Sequence, residues 1–189
     1  MLDLATDYRS VWPADLEPIG YDTDNLESFG DWWERHQPRL EHLHPQICEQ
    51  WVHRHFATAF CRFLPLEALK WRMEVLPTGE LLKSVCPEFA KRFDPEIDYA
   101  QLHGDLAFTK CATAEALDNG TWDYPIIALE TPEGVVSSAG ERPDVRLVLI
   151  EGHSRYKYLN ALSALGKPVN DCHEFFVLEI AKPFRPTPF

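Results

Sequence analysis

No stretch of the chain approaches the roughly 18 consecutive apolar residues of a membrane-spanning helix. The opening Met1-Leu-Asp-Leu-Ala-Thr-Asp-Tyr-Arg-Ser carries acids where a secretory signal has a basic start and an apolar centre. The sequence therefore predicts a cytoplasmic protein that does not enter a membrane. Cysteine is sparse and unpatterned: Cys48, Cys61, Cys86, Cys111 and Cys172 are odd in number and include no C-x-x-C pair. That argues against a disulfide framework, a dithiol redox motif or a cysteine zinc site, and predicts reduced, mostly buried thiols. Basic charge is scarce as well. Eighteen Lys and Arg stand against thirty Asp and Glu, a formal net charge of -12. The densest basic stretches, Arg54 to Arg72 and Lys182 to Arg185, are diluted by apolar residues. Non-specific nucleic-acid affinity is mostly phosphate neutralisation by Lys and Arg, so binding to nucleic acid or anionic lipid is not expected.

What is present is an ordinary globular composition: 189 residues, 45% hydrophobic and 25% charged. A chain of this length buries about 70% of its unfolded surface, so it needs no structural metal to fold. It predicts one domain with a substantial extension. Residues 1 to 23 combine acids with two prolines and no sustained period, and read as a loosely docked arm. Asp24 with Glu27 resembles a capping box. Leu26, Phe29 and Trp33 then share a helix face that should end near Gln37-Pro38. His44-Pro45 opens a second helix, on which Ile47, Trp51, Val52, Phe56, Ala59 and Phe63 form a broad apolar face opposite Gln50, His53 and Arg54. Pro65 should stop it. So wide an apolar face is expected to dock on the rest of the chain or on a second copy.

Beyond Pro65 the pattern changes. Leu69 to Val75 alternates like a half-buried strand, with Pro77-Thr78-Gly79 as its turn. Residues 80 to 110 give no clear period. A short helix from Thr113 to Leu117 should end with a left-handed residue at Gly120. Ile126 to Leu129 and Val145 to Ile150 read as buried strands, separated by a polar, mobile loop from Val136 to Asp144. Leu159, Leu162 and Leu165 mark a helix ended by Gly166, and Phe175 to Ile180 a last strand. Lys182 to Phe189 forms an extended tail, and no internal repeat is visible.

The segment that carries chemistry is the strand-to-helix turn Glu151-Gly152-His153-Ser154-Arg155. Glycine there lets backbone approach a ligand, the first helix amides have no internal partners, and the helix dipole favours an anion. Arg155 adds a guanidinium that can fork onto phosphate oxygens. The plainer alternative is a simple connection in which Ser154 caps the helix, Arg155 sits on a solvated face, and Glu151 and His153 serve only the turn.

The order Thr113-Ala-Glu-Ala-Leu-Asp-Asn-Gly-Thr-Trp-Asp-Tyr-Pro-Ile-Ile, a loop, Leu147-Val-Leu-Ile-Glu-Gly-His-Ser-Arg-Tyr, a Leu/Ala helix, Gly166 and a closing strand resembles the ParB/sulfiredoxin-like superfamily. The resemblance covers about residues 65 to 181 and is best from 113 onward. It implies an α+β fold, a small mixed sheet with helices, here preceded by a helical extension. The division is an arm and extension over 1–64, the ParB/sulfiredoxin-like domain over 65–181, and a tail over 182–189. Members bind nucleotide phosphates at this turn, and the Glu-Gly-His-Ser-Arg version is closest to the Asp-Gly-His-Thr-Arg turn of free-serine kinases. The resemblance thus implies that Gly152, His153, Ser154 and Arg155 hold a nucleoside triphosphate, ATP or CTP with magnesium, or another small phosphorylated ligand. It makes Glu151 the catalytic base or magnesium-associated carboxylate of a phosphotransferase or nucleotide hydrolase. Sulfiredoxins place their cysteine directly after the glycine, where this chain has His153, and that departure argues strongly against sulfinic-acid reduction. ParB proteins continue into a basic helix-turn-helix region that has no counterpart in these residues.

Two other clusters invite a function. His42, His44, Cys48, His53 and His55 crowd one region, but on a helix His44 and His55 stand about 16 Å apart, so core packing explains them better than a metal. Trp32, Trp33, Trp51 and Trp71 similarly read as packing. The competing function class is a non-enzymatic interaction module that keeps the fold and meets a protein partner, or a second copy, through the helical extension or the tail.

Overall fold

Ile126 to Leu129, Leu147 to Ile150 and Phe175 to Leu178 are apolar at successive positions, a pattern strands satisfy only when both faces of their sheet are covered. They form the three inner strands of a five-stranded mixed sheet in the computed structural model, which describes residues 1–20, 25–90, 92–103, 112–181, 184 and 186–188.

In chain order the elements are β1 (Leu2–Asp3), a 3-10 turn (Ala14–Leu16), α1 (Phe29–Leu40), α2 (Pro45–Ile47) continuing as a π-helical segment (Cys48–His53), a second 3-10 turn (Leu66–Ala68) and β2 (Leu69–Pro77). Then follow α3 (Thr78–Ser84), β3 (Val85–Cys86), α4 (Pro95–His103), α5 (Ala112–Asp118), β4 (Ile126–Glu130), β5 (Val135–Ser137), β6 (Gly140–Arg142), β7 (Leu147–Glu151), α6 (His153–Ala164) and β8 (Cys172–Ile180). The main sheet has the order β2-β8-β4-β7-β3. β2 and β8 run antiparallel, β8 and β4 parallel, β4 and β7 antiparallel, and β7 and β3 parallel. The fold is α+β, helices with mixed sheets. Among the described residues no helix is long and apolar enough to cross a membrane.

Strand periodicity divides the core in two. Ile127, Leu129, Val148, Ile150, Phe176 and Leu178 point to one face, where Trp32, Trp51 and Phe56 of the extension cover them. Ile126, Ala128, Leu149, Phe175 and Val177 point to the other, against Leu81, Leu117 and Leu159 of α3, α5 and α6. The apolar face read from the sequence is therefore spent on this chain's own sheet, and residues from both sides of Pro65 share one core.

Local details depart from the sequence expectations where tertiary contacts decide. The first twenty residues are tied in: β1 pairs in parallel with β5, Trp12 Nε1 donates to the Leu64 carbonyl at 3.0 Å, and Leu16 is buried. α1 starts later than expected, because Ser28 is its N-cap and accepts from the Asp31 amide at 3.2 Å. Asp24 lies outside the described residues, and Glu27 instead pairs with Arg35. α1 also runs through Pro38 to Leu40, whose burial outweighs the missing proline N–H. The second helix begins at His44-Pro45 as expected but ends at His53, not near Pro65. Its last part is π-helical, with the Arg54 amide bonded to the Glu49 carbonyl at 2.9 Å, and this wider winding turns Gln50 and His53 inward. The loop expected to be mobile between Val136 and Asp144 is instead the β5–β6 hairpin, held in a three-stranded sheet with β1. The segment without a clear period supplies α3, β3 and α4.

Candidate functional site

β7 ends at Glu151 and α6 begins at His153, so a single residue must reverse the chain. Gly152 does so at φ +94, a left-handed conformation that L side chains rarely adopt. It is also pressed against β4: a Cβ there would lie 2.6 Å from Ile126 Cγ2 and 3.2 Å from Ile126 Cα. Gly152→Ala is expected to cost about 2 to 4 kcal/mol, positive φ and overpacking each contributing. Urea unfolding checks this, and a loss below about 0.5 kcal/mol would show that the turn needs no glycine.

No side chain caps α6, so its first amides carry no side-chain partner at the N-terminus of a twelve-residue helix. That end opens into a cleft of about 590 Å³ at the C-terminal end of β7. Arg54, His55 and Phe60 from the turns after the π-helix, Phe89 from the loop after β3, and Lys157 from α6 line it together with residues 151–155. Phe60 and Phe89 stack at 4.4 Å between ring centres, and the His153 ring lies 4.9 Å from Phe60. Arg54 is half-exposed beside Glu49 at 3.5 Å, and Lys157 pairs with the buried Asp98 at 2.7 Å.

The five residues read from the sequence sit together, but they do not play equal parts. Ser154 is exposed at the cleft and is not the N-cap, a position Gly152 occupies. Burial pushes the Glu151 carboxyl up, while His55 and Arg155 pull it back; the nearest His55 nitrogen is 3.8 Å away. Burial pushes the His153 imidazole down to about 4, helped by the charges of Arg155 and His55. The ring is therefore neutral at pH 7, and its buried Nε2 has no hydrogen-bond partner.

Arg155 departs most from expectation. It is not on a solvated face but is 6% exposed, buried at the wall of the cleft. Its Nη2 donates to Gln50 Oε1 and lies 3.4 Å from Glu151 Oε1, and its Nη1 is 3.7 Å from Asp123 Oδ1. Burial lowers its pKa and the two carboxylates raise it again. The reason is local: the π-helical segment delivers an amide acceptor, Gln50, to the one place where a guanidinium one turn into α6 can reach it.

The histidine cluster near residue 48 is spread over separate tasks. His42 bonds the Leu66 carbonyl and His53 the Glu27 carbonyl, both at 2.9 Å, while His44 caps α2. Burial pushes the Cys48 thiol up to about 12. Among the described residues no three metal-ligating side chains converge.

Sequence reasoning missed Gln50, Asp123, Phe60 and Phe89. A regular helix would set Gln50 on its polar face, and only the π winding moves it inward. Nothing in the sequence ties the other three to the turn. Comparison with family models, with curated proteins and with solved structures returns no match.

Proposed function

We propose that the chain is a nucleotide- or phosphate-binding protein whose ligand places its phosphates at the start of α6. The observation that carries this reading is an uncapped helix N-terminus, turned by a left-handed glycine, that opens into a cleft lined by Arg54, His55 and Lys157. Phe60, part-exposed and stacked on Phe89, offers an aromatic surface against which a base could lie. The resemblance of the turn to the ParB/sulfiredoxin-like superfamily points the same way.

In this reading the amides of residues 153 to 155 hold phosphate oxygens, and the half-exposed Arg54 supplies the positive charge. Glu151 is the candidate base for a phosphotransferase or hydrolase, because burial raises its carboxyl above the ordinary carboxylate value and so makes it a stronger proton acceptor. Arg155 acts through Glu151, which it orients, and is a positioning residue. Magnesium fits only as the counter-ion that ATP or CTP brings with it, since Glu151 is the one carboxylate among the described residues lining the cleft.

Thermal unfolding with ATP, CTP, GTP or inorganic phosphate, with and without magnesium, tests the reading. A ligand at about 100 times its dissociation constant adds about 2.7 kcal/mol of stability. Arg54→Ala should weaken that binding by about 1.5 to 3 kcal/mol. Glu151→Gln should abolish turnover while nucleotide affinity is retained. No stabilisation by any of the four would remove the phosphate reading and leave a non-enzymatic interaction module as the better account.

A further inference from the structure

β2 is an edge strand: it pairs with β8 and, among the described residues, with no other strand. Its nine residues pair with β8 without a register shift, whereas the β4–β7 ladder is interrupted by one. Proteins that remain monomeric blunt such edges with bulges, proline or inward charges, because a straight edge is a template for another strand. Here the first proline is Pro77, the last residue of the strand. The side chains on one face of the strand, Trp71, Met73 and Val75, are 37%, 38% and 56% exposed. On the other face Arg72 bonds Glu74, Glu130 and Glu179, one cation among three carboxylates.

We propose that β2 is the interface of a symmetric dimer, in which two copies pair their β2 strands antiparallel about Met73 and join two five-stranded sheets into one of ten. The inference is independent of the phosphate reading. A twofold axis through an antiparallel edge pair stands perpendicular to the sheet, so each residue must face one of its own parity. That leaves three central registers. About Arg72, the arginine faces itself. About Glu74, the glutamate faces itself. About Met73, the methionine faces itself, Trp71 faces Val75 twice, and Arg72 faces Glu74 twice. Like charges directly opposite destabilise a strand pair and opposite charges support it, so only the third register is self-complementary on both faces. It also sets Lys70 diagonal to the partner copy's Glu74 and adds cations to a carboxylate-rich cluster.

The test uses the full chain. Sedimentation or light scattering at up to about 100 µM should give a dimer. Met73→Lys, which places two lysines on the axis, and Glu74→Arg, which sets arginine opposite Arg72, should each give a monomer. Because Met73 is exposed, Met73→Lys should keep its unfolding transition, which separates loss of pairing from loss of fold. Register is read in a Cys172→Ser background. Two Met73→Cys side chains would have Cβ atoms roughly 5 Å apart and should cross-link on mild oxidation. Two Val75→Cys side chains would be offset by about 13 Å along the strands and should not. A monomer throughout that range, a dimer that survives Met73→Lys, or equal cross-linking at 73 and 75 would each overturn the proposal. In the first case, the edge would be left to a strand from a different protein.

Discussion

A chain that begins at Pro65 is expected to be insoluble, without a cooperative unfolding transition. Removing residues 1–64 uncovers Ile127, Leu129, Val148, Ile150, Phe176 and Leu178, all buried in the present structure. Burying each such side chain contributes about 1.5 to 3 kcal/mol, so the six together contribute on the order of 9 to 18 kcal/mol. That equals or exceeds the roughly 5 to 15 kcal/mol by which a domain of this size is stable at all. The lost coverage cannot be absorbed by repacking. The exposed face would be a flat apolar surface rimmed by strand ends, which aggregates. Expression of the truncated chain followed by sedimentation checks this. A soluble fragment from Pro65 onward with a sigmoidal melt would show that the extension is a separate unit.

The sequence was legible wherever a local rule had no rival. The three inner strands were readable because four successive apolar residues bounded by turn signals can be buried only in a covered sheet, and the structure places alternate members on its two faces. Gly120 was readable as a left-handed residue because the chain must turn after α5, and it adopts φ +90; Gly152 was readable only as a point of close backbone approach, and its φ of +94 comes from the reversal after β7. His44-Pro45 was readable because an N-cap and a first-turn proline are properties of adjacent residues. What stayed hidden depends on contacts distant in sequence. β1 and the β5–β6 hairpin stabilise each other, and neither carries a pattern of its own. The π winding at Cys48–His53 has no sequence signal, yet it decides that Gln50 is a core residue, 1% exposed. The five turn residues were found because they are contiguous. Their division of labour was not, since Gln50 lies 105 positions from Arg155.

That division of labour makes Arg155→Ala the most destabilising single substitution expected in the site, where a guanidinium facing a ligand would be dispensable for folding. Exposed ion pairs contribute about 0 to 1 kcal/mol, but the Arg155, Glu151 and Asp123 side chains are largely withdrawn from water. Deleting that guanidinium leaves two carboxylates and the Gln50 side-chain carbonyl without the donor they share, and breaking such a buried group from one side costs about 3 to 5 kcal/mol. The deficit should depend on pH with a definite sign. Burial already raises the Glu151 carboxyl, and losing Arg155 removes one of the charges that pull it back, so its pKa in the folded variant rises further. Above that pKa the carboxylate is buried and charged, and the cost is present in full. As pH falls through it the group takes a proton and the cost is relieved. The variant should therefore lose more stability at pH 8 than at pH 5, and Arg155→Ala with Glu151→Gln should recover part of the loss. Arg155→Lys should recover less than its charge implies, because an ammonium cannot reach two carboxylates and an amide with one planar fork. Urea titrations of the variants at the two pH values measure all of this. A loss below about 1 kcal/mol for Arg155→Ala, the range of an exposed pair, would mean that the guanidinium is solvated and free to turn toward a phosphate, as the resemblance of the turn implies.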